Sequence, residues 1–166
     1  MSVQAVVEAM DRMTEIHGVL LELAEQKKHA IVRNDIDLLN QITHQENKLI
    51  KQIEELDRQR TEAIGQALIQ RGYRPNPRIT VSDLIRLIYK AEDKQALMRS
   101  RDELLAAIDK LRAAHSLNQQ LIRQSLAFIE YSLDLLIGPP EDEAVYQNPA
   151  QHARNVKRIG VFDTKA

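Results

Sequence analysis

Glu25 and His29 are the first side chains in this sequence that could act together chemically, because four residues on a helix puts two metal ligands on one face. The pair has no companion. No second acid-histidine pair lies near it and no ExxH motif occurs in the chain, so a helical-bundle metal site has only half of its donors. The absence of cysteine excludes a thiolate zinc site, a disulfide framework and a cysteine nucleophile. There is no GxxxxGK followed by Ser or Thr, no GxGxxG and no GxSxG, so the chain encodes neither a phosphate cradle nor a nucleophile elbow. Glu54-Glu55 and Glu141-Asp142-Glu143 read as solvated charge. Arg71, Arg74 and Arg78 gather around a proline-containing loop, a small basic cluster that could meet an acidic partner. No catalytic, cofactor or metal residues are expected.

His17, His115 and Asn118 differ from these, because they fall on apolar seams. Polar residues at such positions more often fix helix register and partners than perform chemistry, at some cost in stability. The seams are therefore the elements that matter. The first runs Val3, Val6, Met10, Met13, His17, Leu20, Ala24, Lys27, Ile31, in steps of three and four, widened by Val7, Ile16 and Leu23. It is interrupted at Arg33-Asn34-Asp35, where Asn34 is expected to cap a new helix and Asp35 and Asp37 to place negative charge in its first turn. The second runs Leu39, Ile42, Glu46, Leu49, Ile53, Leu56, Arg60, Ala63, Ala67. Pro75 and Pro77 stop it.

Thr80 and Asp83 have capping-box spacing before Leu84, Ile85, Leu87 and Ile88, which predicts a short helix over 81–90. A break is expected around Ala91-Glu92-Asp93. The longest seam follows: Leu97, Arg101, Leu104, Ile108, Leu111, His115, Asn118, Ile122, Ser125, Ile129, Ser132, Leu136, with neither glycine nor proline from Arg78 to Ile137. A helix over 92–137 would be roughly 70 Å long at 1.5 Å per residue. Gly138-Pro139-Pro140 ends it.

The expected fold is all-α: an elongated antiparallel helical bundle or coiled coil of three long helices plus one short one over 1–138, with a flexible C-terminal tail over 139–166. The tail carries four acids, four bases and only scattered apolar residues, too few to bury a core alone. Tyr146 and Phe162 make it a candidate binding segment.

Charge and composition bound the partners. Lys and Arg number 23 against 24 Asp and Glu, so no basic excess draws phosphate backbones over long range and nucleic acid is a poor fit. Apolar runs such as Val19-Leu20-Leu21 are soon broken by charge, which argues against membrane insertion. Glu8 stands where a secretory signal would be basic, which favours a cytoplasmic location. The one surface feature beyond an ordinary amphipathic helix is the end of the last one. Leu126, Phe128, Ile129, Tyr131, Leu133, Leu135, Leu136 and Ile137 are apolar on more than one face, so either the short helix or a partner must cover the excess.

The run Leu117-Asn118-Gln119-Gln120-Leu121-Ile122-Arg123-Gln124-Ser125-Leu126, continued by Phe128-Ile129-Glu130-Tyr131-Ser132-Leu133-Asp134-Leu135-Leu136-Ile137-Gly138, resembles the FlgN family of flagellar export chaperones. The ending Phe162-Asp163-Thr164-Lys165-Ala166 is similar to that of its Gram-positive members, and the order of helices matches. The resemblance implies a non-enzymatic, ATP-independent cytoplasmic chaperone. Such a protein binds the helical terminal region of the hook-associated proteins that join hook to filament, and delivers them to the flagellar type III export apparatus. It further implies that the client is engaged through the end of the long helix and the tail, here Phe128, Tyr131, Leu135, Tyr146, Val156, Ile159 and Phe162. A monomer or weak homodimer is expected. The alternative from another class is a coiled-coil scaffold or tether whose seams pair with a second copy.

Overall fold

The computed structural model describes residues 2–138, and in them the chain is all-α: α1 (Ser2–Arg33), α2 (Ile36–Ile69), α3 (Val81–Leu87) and α4 (Ala91–Ile137). Three long helices and one short one thus occur as the periodicity predicts. The division at 138 rests on the sequence, because residues 139–166 lie outside the described residues. The described residues divide between Ser125 and Leu126 into two units, and each is taken in turn.

In the first unit, α1 and α2 form a hairpin. The expected cap is displaced by one residue. Asn34 has φ 54 and ends α1 in the left-handed conformation that Asn tolerates better than most residues, while Asp35 caps α2 by accepting from Leu38 N at 3.0 Å. Asp37 supplies the acidic charge in the first turn.

The seam of α1 is buried from Val3 to Ile31, except that Lys27 stays half-buried. Its N-terminal half joins Leu56, Ala63, Ile64, Ala67 and Leu68 of α2, Val81, Leu84 and Ile85 of α3, Ile88, and Leu97 and Leu104 of α4 in one cluster. A second cluster gathers Leu20, Leu23, Ala24 and Ala30 with Ile42 and Leu111. Removing these methyl-rich surfaces from water is the main force holding the helices together. α4 runs parallel to α1, since Ser100 Oγ donates to Asp11 and Asn118 Nδ2 donates to Ala24 O at 2.8 Å.

α3 is shorter than expected and the break before α4 comes earlier, at Ile88-Tyr89-Lys90 rather than 91–93. Ile88 takes extended φ and ψ of −92 and 127 and is locked in the core, which stops α3. Glu92 and Asp93 then sit in the first turn of α4, where the helix dipole favours acids, with Lys90 at 3.5 and 3.7 Å from them. The capping box is present as the spacing predicts: Thr80 Oγ1 accepts from Asp83 N at 3.2 Å and Thr80 N donates to Asp83 Oδ2 at 3.1 Å. The Thr80 hydroxyl also donates to Asp83 Oδ2 at 2.6 Å, and this bond first, then the one from Thr80 N, holds the Asp83 carboxyl below its ordinary range, with Arg86 adding to the effect.

Candidate protein-interaction site

The polar residues on the seams are held by their own bundle. His17 Nδ1 lies 2.6 Å from Met13 O; a carbonyl only accepts, so that nitrogen carries the proton. Lys27 Nζ meets Glu46 Oε2 at 2.6 Å, joining α1 to α2, and Glu46 Oε1 is buried without a partner among the described residues. His115 is half-buried and lines a recess of about 250 Å³ with His17, Glu46 and Leu111. Sequence reasoning put Lys27 and Glu46 on their seams without pairing them. Opposite charges at seam positions on either side of a hairpin turn were the signal.

Glu25 accepts from Lys28 at 2.7 Å, which lowers its pKa, and among the described residues no group of three or more His, Asp or Glu could hold a metal ion. Glu55 lines a recess of about 560 Å³ between α1 and α2 beside Arg12, Glu15 and Lys51. Its carboxyl is lowered by hydrogen bonds from Gln59 first and Arg58 second, so it rests as a paired anion.

The end of α4 is built differently. Along the third seam Leu97, Leu104, Leu111 and Asn118 are buried, whereas the continuing residues Ile122, Ile129 and Leu136 are exposed. α3 places Leu84 and Ile85 of its apolar face in the main cluster.

Within 126–137 the exposed residues fall into two stripes. At about 100° per residue, Leu126, Ile129, Leu133, Leu136 and Ile137 occupy one arc, and Phe128, Tyr131 and Leu135 occupy the opposite one. Phe128 is 68% exposed, Tyr131 62% and Leu135 68%. One gap between the stripes holds Ser132, whose hydroxyl donates to Phe128 O at 2.8 Å and so asks little of a neighbour. The other holds Ala127, Glu130 and Asp134. The helix end therefore presents an apolar arc of about 240° with a single acidic edge. Its last turn has no basic residue to complement the helix dipole, and Gly138 closes it at φ 80 with its N–H on Asp134 O at 2.9 Å.

Three of the expected site residues, Phe128, Tyr131 and Leu135, thus share one face. The other four, Tyr146, Val156, Ile159 and Phe162, lie outside the described residues. Leu126, Ile129, Leu133 and Leu136, on the second face, are equally available and were read from the sequence only as excess width. Among the described residues no helix is long and apolar enough to cross a membrane.

Residues 1–154 match the family described as FlgN protein. A protein of Bacillus subtilis (strain 168) described as "Uncharacterized protein YvyG" is 29% identical over 167 residues, an alignment that covers all of both chains. No solved structure matches.

Proposed function

The chain belongs to the FlgN family of flagellar export chaperones, and from that premise we propose that it binds the helical terminal region of hook-associated proteins, prevents their premature assembly and delivers them to the type III export gate. It does so in the cytoplasm, without cofactor or catalysis. The observation that carries this reading is the apolar arc at 126–137. A client helix kept from polymerising must have its own apolar stripe covered, and an exposed helix with two opposed stripes supplies the matching surface. In this division of labour residues 1–138 are the helical scaffold and 139–166 a second binding segment, with Tyr146, Val156, Ile159 and Phe162 adding to Phe128, Tyr131 and Leu135. The acidic edge of Glu130 and Asp134 orients the client, favouring one with basic residues beside its stripe.

Isothermal titration against a terminal peptide of a hook-associated protein tests this. A chain truncated after Gly138 should retain nearly full helicity yet bind much more weakly. The replacement of Tyr146 and Phe162 by Ala should reproduce part of that loss, because truncating buried aromatic anchors commonly costs about 2 kcal/mol or more, roughly thirtyfold in affinity. Unchanged affinity of the truncated chain removes the tail from the mechanism. Light scattering separates the chaperone from the scaffold reading: a 1:1 complex from a monomer or weak dimer against a stable self-assembled oligomer.

A further inference from the structure

The loop between α2 and α3 is more tightly built than a connection requires. Gly72 N donates to Ile69 O and Tyr73 N to Leu68 O, both at 3.0 Å, with Gly72 at φ 79. Asn76 closes a second turn, its carbonyl accepting from Ile79 N at 3.1 Å and its side chain from Arg78 N at 3.0 Å. Pro75 and Pro77 fix φ around it, and Ile79 packs on the main cluster.

This rigid frame displays unmatched charge. From Ala63 to Ser82 the sequence holds three arginines and no acid. Arg71 Nη1 is tied to Ala67 O at 2.9 Å, but the exposed side chains of Arg74 and Arg78 have no partner among the described residues. Arg86 and Lys90 beyond the loop are matched by Asp83, Glu92 and Asp93. Tyr73 is exposed next to Arg74, and Tyr89, 96% exposed, stands in the junction that leaves the same cluster through Ile88.

We propose that this loop is a docking site for an acidic segment of another protein, with Arg74 and Arg78 taking its carboxylates and Tyr73 lining the contact. The guanidinium fork matches a carboxylate with two parallel hydrogen bonds. A loop already fixed by its turns and prolines loses little freedom on binding, so weak charge-assisted contacts are not cancelled by ordering. Two free cations in this loop, on a chain of net charge −1, neutralise too few phosphates for nucleic acid to be the better ligand there. The site uses none of the residues proposed for the client, so mutation separates the two.

The test is an amide-shift titration of the full chain, isotopically labelled, with a blocked decapeptide of alternating Glu and Asp at low salt. Shifts should cluster at 71–80 and 88–90, and R74Q/R78Q should weaken binding by about tenfold or more. K48Q/K110Q, which removes two charges elsewhere, should leave affinity unchanged. Shifts spread evenly over the basic surface, or equal weakening by K48Q/K110Q, would overturn the proposal. So would tighter binding of a deoxythymidine decamer at the same loop, which would reassign it to nucleic acid.

Discussion

Replacing Lys27 by Met puts the burial of Glu46 to the test. The two side chains are 17% and 9% exposed, their heads are 2.6 Å apart, and the second carboxylate oxygen of Glu46 is already buried without a partner among the described residues. In K27M the carboxylate keeps its burial and loses its counter-ion. Breaking a buried pair from one side costs about 3–5 kcal/mol. Lys27 retains some access to water, which places the cost near the lower end, about 3 kcal/mol. For a chain of this size about 2–4 °C of melting temperature accompanies each kcal/mol, so Tm should fall by about 6–12 °C. Glu46→Met should cost less, because the long lysine stem lets the stranded ammonium reach solvent. The double variant puts an apolar pair across the hairpin and should be neutral or more stable than the parent, by up to about 4 kcal/mol. Urea and thermal denaturation of all four proteins give the cycle. A K27M chain within about 1 kcal/mol of the parent, or a double variant as unstable as the two singles summed, would refute the reasoning.

Other expectations follow from the same geometry. Phe128→Asp places a charge in the apolar arc and should weaken client binding more than Phe128→Ala, with unchanged melting, as read by isothermal titration. His17→Leu should be neutral or stabilising in urea and leave client affinity intact, since its hydrogen bond goes to a carbonyl already inside the α1 ladder. Asn34→Val should lose about 1–2 kcal/mol in denaturation because φ 54 excludes a β-branched residue, whereas Asn34→Gly should change little. The capping box should be intact above the ordinary aspartate value of 3.8 and fail only as pH falls through the lowered value of Asp83. Carbon shifts at 80–84 followed down in pH check this, with Asp83→Asn showing no such step.

The seams were legible in the sequence because burial imposes the helical period on it. Val3 to Ile31 and Leu97 to Asn118 are covered where the three-and-four spacing puts them. The junctions were less so. Asn34 and Asp35 are both good caps by type, and what separates them is a backbone conformation, left-handed at Asn34, that follows from where α1 ends. At 88–93 the sequence shows acids and no glycine or proline, so the break had no local marker; it is set by Ile88 taking an extended conformation to reach the core. The same limit applies to the candidate site. The apolar width of 126–137 was visible, but not its resolution into two opposed stripes with Ser132 turned onto its own carbonyl. Nor could the sequence tell that Arg71 is tied to its own helix while Arg74 and Arg78 are not.

The last buried residue of the third seam is Asn118, and this has a consequence for the order in which the chain is made. Everything the two clusters need has left the ribosome once Asn118 has, while residues 119–137 take about 1–4 s more at ordinary synthesis rates. Helical hairpins close in microseconds to milliseconds, so α1 and α2 can capture Leu97, Leu104 and Leu111 before Phe128 or Leu135 emerges. A surface rich enough in leucine to compete for the seam is thereby kept from doing so by arriving late. Moving the same apolar residues to the N-terminal end of the chain would remove that protection without changing a single contact of the finished bundle.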